Sequence, residues 1–144
     1  MPEKNIITNN GHCPRHAFIT AAQLLTAKEE HPDAMVAVHP ECVKEVVELA
    51  DFAGSTSEII DYVANTDAKE FIIGTVDGVF AKIEQVAPGK KLYTIRPDQK
   101  CPNMQKVTLE KIIDVLENET NEVFVDEETA AKAMLPLKKM LEMG

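Results

Sequence analysis

The sequence alternates between short apolar runs typical of β-strands and longer stretches in which apolar residues recur at helical spacing. The strand candidates are Asn5–Thr8, Met35–Val38, Phe71–Thr75, Leu92–Ile95 and Glu122–Val125, with a weaker run at Ala50–Ala53. Several of these runs are continuously apolar, which is typical of parallel strands covered on both faces. Because strands that alternate with helices usually pair in parallel, we predict a three-layer α/β protein with a mostly parallel sheet.

The helical stretches fill the gaps between the strand candidates. They are Ala17–Glu30, Cys42–Leu49, Ser57–Ala64, Gly78–Val86, Leu109–Glu117 and Glu127–Met143, the last with a kink expected at Pro136. We predict an α/β domain over residues 1–100 and a C-terminal segment over residues 101–144. That segment would hold a cysteine loop, one strand and the terminal helices.

The composition argues against several classes of binding partner. The 144 residues carry a formal net charge of −9, which argues against binding to nucleic acid or to an anionic membrane surface. No apolar run approaches the ~20 residues of a membrane span, and the N-terminus lacks the features of a signal peptide. Three cysteines in such a chain indicate free thiols rather than a disulfide framework. We therefore expect a cytoplasmic globular protein, and composition alone indicates no function.

The loops after the predicted strands hold most of the reactive side chains. In an open parallel sheet, ligands bind beyond the carboxyl ends of the strands, so these loops are the place to search. All three cysteines and three of the four histidines lie there. The loop sequences are NNGHCPRH at 9–16, HPEC at 39–42, GSTSE at 54–58, VDG at 76–78 and RPDQKCPNM at 96–104.

The cysteines allow more than one interpretation. A free cysteine is most often a small buried hydrophobe. The dipeptides Cys13-Pro14 and Cys101-Pro102 instead favour a turn that presents the sulfur, and Cys-Pro also occurs at iron–sulfur ligands. A zinc or redox protein is a weaker hypothesis, because the chain has no CxxC pair and no zinc-finger spacing.

Ser55 and Glu58 also have two interpretations. Their spacing is that of a capping box ahead of an apolar helix, which alone would explain both residues. The same geometry presents free amides and hydroxyls that would hold a carboxylate or a phosphate. Capping and binding are compatible if different hydroxyls perform them.

His39, Pro40 and Glu41 follow a predicted strand directly. Proline suits the first turn of a helix and glutamate suits its N-terminal dipole, which is a structural explanation. A histidine and a glutamate side by side at a strand end also form a pair able to transfer protons. His16, three residues after Cys13, is expected at the same edge of the sheet.

The segments NGHCPRH, HPEC, ADFAGSTSEII, FIIGT-x-x-G and CPNMQKVTLE, in this order, together with the ending KAMLPLKKMLEMG, resemble quinolinate synthase. The resemblance covers nearly the whole chain and about the C-terminal half of the family's usual length. It implies a transferase of NAD biosynthesis that condenses iminoaspartate with dihydroxyacetone phosphate to give quinolinate. Its sheet domains would be similar α/β repeats around a central site, and residues 101–144 would form part of a neighbouring repeat.

The resemblance also implies a [4Fe-4S] cluster that acts as a Lewis acid and is held by three cysteines. Cys13 and Cys101 match two of these ligands, the third is absent from this chain, and Cys42 matches a cysteine that is not a ligand. The implied catalytic residues are Glu41, His39 and His16, and the implied substrate-binding residues are His39, Pro40, Glu41, Ser55 and Thr56.

Two departures from the family pattern bear on activity. The N-terminal half is missing, and Val76 occupies a position that is usually acidic in the family, with Asp77 directly after it. We therefore expect the chain to need a complementary N-terminal half or to self-associate. The alternative is a non-catalytic module of this fold that binds an anion or a dicarboxylate.

Overall fold

The computed structural model describes residues 11–143, so the predicted strand Asn5–Thr8 lies outside the described residues. The chain divides into two compact units, the first ending at Gln105 and the second beginning at Lys106. The boundary between the predicted domains, at residue 100, stays a prediction. Each unit is described by itself below.

The first unit consists of four strands and five helices within the described residues. In chain order they are α1 (Pro14–Ala17), α2 (Ala21–Glu30), β1 (Met35–Val38), α3 (Lys44–Glu48), β2 (Phe52–Ala53), α4 (Thr56–Asn65), β3 (Glu70–Gly74), α5 (Val79–Val86) and β4 (Lys91–Thr94). The strands form one parallel sheet in the order β2-β1-β3-β4. The prediction of a parallel α/β fold is confirmed.

The sheet is covered on both faces, as the continuous apolar runs predict. Along β1, Val36 and Val38 pack in one core with residues of α2 and α3, whereas Ala37 packs in a second core with residues of α4 and α5. Along β3, Ile72 belongs to the first core, and its neighbours Phe71 and Ile73 belong to the second. Successive strand residues thus point to opposite faces, and both faces are apolar.

Glycine is required where β3 ends beside β1. Gly74 pairs in register with Val38, and a Cβ added to Gly74 would lie only 2.6 Å from Val38 Cγ1. The Gly74 carbonyl also accepts the His39 N–H at 3.1 Å. The two strands therefore lie close together at the point where the chain leaves β1.

The predicted helix Ala17–Glu30 begins only at Ala21, as α2, after a break that separates it from the short α1, which ends at Ala17. Thr20 and Gln23 form a capping box in which the Thr20 hydroxyl accepts the Gln23 N–H and the Gln23 side chain accepts the Thr20 N–H. This arrangement begins a new helix at Ala21. The break separates the short α1, which carries a site residue, from the longer α2, which packs on the sheet.

The second unit contains two helices, α6 (Leu109–Asn118) and α7 (Glu127–Met143), after a 3₁₀ turn at Met104–Lys106. Pro136 lies inside α7, which continues to Met143. The strand predicted at Glu122–Val125 is wrong: the segment is not a strand, and Val123, Phe124 and Val125 are 61–82% exposed. A strand needs a neighbour for its backbone groups, and no such pairing is present for this segment in the described chain.

Within residues 11–143, none of the helices is both long and apolar enough to cross a membrane.

Candidate active site

A buried histidine lies at the centre of the side chains gathered at the carboxyl edge of the sheet. His16, on α1, is 8% exposed. Its Nδ1 atom lies 3.1 Å from Glu41 Oε2, and its Nε2 atom lies 3.0 Å from the hydroxyl of Thr75. The ring is therefore held at both nitrogens by residues that follow β1 and β3.

The loop after β1 brings a second histidine to the same place. The ring of His39 stacks on that of His16, with centroids 4.1 Å apart and planes 10° from parallel. The Glu41 backbone N–H donates to His39 Nδ1 at 3.2 Å, and Glu41 Oε2 lies 3.6 Å from the same nitrogen. One carboxylate thus faces two imidazoles. Because the Glu41 side chain is 46% exposed, it is also accessible to a ligand.

The surroundings of His39 favour its neutral form. Burial lowers the pKa of His39 from its ordinary value, the neighbouring His16 lowers it further, and Glu41 opposes both effects. A neutral imidazole next to a carboxylate can accept a proton and pass it on.

The three cysteines are free and lie in different environments. Cys13 and Cys101 are partly buried, whereas Cys42 is buried, with its Sγ 3.4 Å from the Gly74 carbonyl oxygen. Burial raises the pKa of the Cys42 thiol to about 11, although a hydrogen bond from the His39 backbone partly offsets this. Cys42 is thus a structural thiol rather than a reactive one.

Cys13 belongs to the histidine–glutamate group. Ligand atoms of Cys13, His16 and Glu41 all lie within 4.8 Å of one another, and together they could hold a metal ion. Cys101, in the loop beyond β4, is outside this group. The assignment of Cys13 and Cys101 as metal ligands stays a prediction.

Ser55 acts as a helix cap. Its hydroxyl accepts the Glu58 N–H at 3.4 Å, and its own N–H donates to Glu58 Oε2 at 2.7 Å. The hydrogen bonds to Ser55 also lower the pKa of Glu58. The capping interpretation is confirmed, while binding roles for Ser55, for the exposed Thr56 at the start of α4 and for the exposed Pro40 stay predictions.

Sequence reasoning missed Gln99 as a residue that organises this edge. Gln99 is 5% exposed, its Nε2 donates to the carbonyls of Ile73 and Thr75, and its Oε1 accepts the N–H groups of Ile95 and Arg96. One side chain therefore joins the ends of β3 and β4. Nothing in the local sequence marks it, because the glutamine lies in a polar loop.

Two arginines share one carboxylate near the same edge. Arg15 lies beside Asp98 and donates to its backbone carbonyl and to its side chain, and Arg96 contacts the other carboxylate oxygen at 2.9 Å. Arg96 also donates to the Phe18 carbonyl at 3.0 Å. These contacts tie the loop that precedes Cys101 to the α1 segment.

Thr75 could have been found from the sequence, as a polar residue directly after a continuous apolar strand.

The fold and the site together define an α/β protein that gathers a thiol, two imidazoles and a carboxylate where the parallel strands end, the usual ligand position in such sheets. A family model described as quinolinate synthetase A protein matches residues 1–142 of this chain. The chain therefore belongs to the quinolinate synthase family.

Individual relatives agree with the family match. The chain is 48% identical over 144 residues to a quinolinate synthase of Caldicellulosiruptor bescii, and the match covers 100% of this chain and 48% of the relative. It is 46% identical over 143 residues to one of Clostridium kluyveri, covering 99% of this chain and 47% of that protein. A Fusobacterium nucleatum quinolinate synthase is 46% identical over 144 residues, covering 100% and 48%. The chain thus spans about half the length of these relatives.

Proposed function

We propose that this chain forms one part of a quinolinate synthase and acts in NAD biosynthesis together with a polypeptide equivalent to the other half of its relatives. The substrates would be iminoaspartate and dihydroxyacetone phosphate, both small and anionic. The observation that carries the proposal is the hydrogen-bonded group of His16, Glu41 and Thr75 with His39 stacked beside it. It brings together residues from the segments NGHCPRH, HPEC and FIIGT at one edge of the sheet, which supports the proposal.

The group supplies what a condensation with loss of water requires from side chains. Glu41 is exposed enough to meet a substrate, and it would take a proton at Oε2. His16 is buried and bonded to Thr75, so it would hold the carboxylate in place and share the proton. His39, neutral and with its Nδ1 accepting the Glu41 N–H, would carry its proton on Nε2 and could donate it to a substrate oxygen.

Two cysteines of the chain have the properties that an iron–sulfur cluster needs. Ligation requires a thiolate that the cluster can reach, and Cys13 and Cys101 are free and partly accessible. Cys42 does not fit, because its thiol is buried and its pKa is about 11. When bound, a cluster would supply a Lewis-acidic iron. The third cysteine would come from the complementary polypeptide.

The second unit supports the need for a partner chain. Apart from Ala130, every residue of 106–143 is exposed, and these include the apolar side chains of α6 and the run Val123–Val125. Apolar surface of this extent usually marks an interaction site. We propose that the complementary polypeptide covers it.

The test combines this chain with the part of the Caldicellulosiruptor bescii enzyme to which it does not align. Both are purified anaerobically, reconstituted with iron and sulfide, and assayed separately and mixed for visible absorbance, iron content and quinolinate formation. We expect quinolinate and four irons per complex only in the mixture. In that mixture Glu41→Gln should keep the cluster spectrum and lose most of the activity.

Three outcomes would contradict the proposal in different ways. Four irons per chain in this polypeptide alone would overturn the ligand assignment. Turnover by this chain alone would remove the need for a partner. A complex that binds phosphate or a dicarboxylate but forms no quinolinate would favour the non-catalytic binding module.

A further inference from the structure

We propose that the outer edge of β4 binds the run Glu122–Val125 of a second copy of this chain, which would add to the sheet as a fifth strand. The inference goes beyond the proposed function and does not depend on it. It concerns the chain on its own, where no complementary polypeptide competes for the same apolar run.

The outer edge of β4 offers backbone groups to an extended segment. Within the described residues, β4 is the outermost strand on its side of the sheet. The Lys91 N–H donates to the carbonyl of Lys69, directly before β3. Backbone groups of successive strand residues alternate in direction, so those of Leu92 and Thr94 point away from β3. Backbone groups at the edge of a sheet can pair with a strand from another chain.

A groove of about 400 Å³ follows this edge and is lined from both faces of the sheet. Tyr93, with the ring of His31 stacked on it at a centroid distance of 3.4 Å, lines the groove on the face of the first core. Phe80 and Leu92 line it on the face of the second core. A strand added at this position would therefore have protein side chains against both of its faces.

The run Glu122–Val125 has the composition of a strand that is covered on both faces. Val123, Phe124 and Val125 are consecutive apolar residues, and they are 61–82% exposed. A strand with one face in water would alternate apolar and polar residues. Because this run belongs to no strand of the described sheet, its backbone can still pair with a partner edge.

The charges at the ends of the two segments are complementary. Lys91 and Arg96 lie at the two ends of the β4 segment, whereas Glu122 and Asp126 flank the run Val123–Val125. When the centres of the two segments lie opposite each other, each acidic residue comes opposite or next to a basic one in both the parallel and the antiparallel orientation. Both basic side chains already contact an acidic residue of their own copy, so this attraction favours the register more than it adds affinity.

The test measures the mass of the full chain by analytical ultracentrifugation under reducing conditions over a range of concentrations. We expect the wild type to associate as the concentration rises. Phe124→Lys, at an exposed position, should raise the dissociation constant about tenfold or more, because a charged side chain would enter the groove. Leu141→Lys, at an 83% exposed position of α7, is the matched control and should associate as the wild type does.

The β4 side of the contact is tested by Thr94→Pro, which removes an N–H from the outer edge and should also weaken association about tenfold or more. Thr94→Glu, which places a carboxylate in the groove without changing the backbone, is the second β4 variant. Circular dichroism identifies the variants that keep the fold.

Mixing two defective variants distinguishes this contact from other modes of association. The Phe124→Lys chain keeps an intact β4, and the Thr94 variant keeps an intact apolar run. An equimolar mixture should therefore associate more strongly than either variant alone.

Three results would overturn the inference. The wild type could stay monomeric at millimolar concentration, or Phe124→Lys could associate as Leu141→Lys does. The mixture could also associate no better than its two components, which is the result expected if two β4 edges paired with each other. None of these results bears on quinolinate formation by the mixed polypeptides, so the two proposals fail separately.

Discussion

The buried amide of Gln99 allows a sharp test of what stabilises the ends of β3 and β4 at the carboxyl edge of the sheet. Replacing it by methionine keeps the length of the side chain and removes all four of its hydrogen bonds to backbone groups. The Arg96 N–H is only partly buried and can find water, so three buried backbone groups lose the hydrogen bond that Gln99 provides. The loss of a buried hydrogen bond costs about 1–3 kcal/mol for each backbone group, and the surrounding loop can relax to recover part of this. Gln99→Met should therefore destabilise the chain by about 3–5 kcal/mol.

The assay is equilibrium unfolding in urea, followed by circular dichroism. For a urea dependence of about 2 kcal/mol per molar, a loss of 4 kcal/mol lowers the midpoint by about 2 M. Gln85→Met is the matched control, because Gln85 is exposed on α5, where its side chain accepts a long hydrogen bond of 3.5 Å from Lys82. A Gln99→Met midpoint equal to that of the control would refute the reasoning.

Gln99→Glu tests the direction of the hydrogen bonds. A carboxylate there would face the carbonyl oxygens of Ile73 and Thr75, so its pKa in the folded chain should rise above the ordinary value of about 4.3. The folded state then binds the proton more tightly than the unfolded state, and stability should fall as the pH rises above about 4. A stability difference from wild type that does not change with pH would contradict this assignment.

Three further changes probe other features of the first unit. Gly74→Ala should cost about 1–3 kcal/mol in urea unfolding, because the new Cβ meets the adjoining strand, whereas Gly78→Ala, with open space around it, should change stability by less than about 0.5 kcal/mol. Cys42, whose pKa is about 11, should be alkylated by iodoacetamide more slowly than the other two cysteines. Mass spectrometry should show this difference in rate in the native chain and its loss in urea. Equal rates in the native chain would contradict the burial of Cys42. Ser55→Ala should lose about 1 kcal/mol of helix capping, and Ser57→Ala, in the first turn of the same helix, should not; equal losses would remove the capping role.

The strands of the sheet could be predicted because their apolar runs are continuous. Met35–Val38 is a strand with the predicted bounds, and Glu70–Gly74 is shifted by one residue. The break before Ala21 could not be predicted from periodicity, because the capping box of Thr20 and Gln23 lies inside an apolar repeat. The strand expected at Glu122–Val125 failed for another reason. Its residues favour a strand, but strand formation depends on a pairing edge that the local sequence does not specify.

The candidate site could be predicted only as a set of loops. Parallel topology brings the segments after β1 and β3 to one edge, so the proximity of His39 and Glu41 to Thr75 followed from the order of the elements. His16 was expected there because it follows the predicted strand Asn5–Thr8, which lies outside the described residues. The particular contacts did not follow. Which nitrogen of His16 meets Glu41 and which meets Thr75 depends on rotamers and on strand register, and Gln99 acts through backbone groups that any sequence would offer.

The contacts of His16 join segments that are 25 and 59 residues away along the chain. No short fragment can reproduce these contacts. A molecule that binds the side chains of His16, Glu41 and Thr75 together therefore binds the native state and not the unfolded ensemble. Such a molecule at 100 times its dissociation constant would raise the free energy of unfolding by about 2.7 kcal/mol. Thermal shift measurements with small compounds would therefore report occupancy of this edge without any knowledge of the reaction.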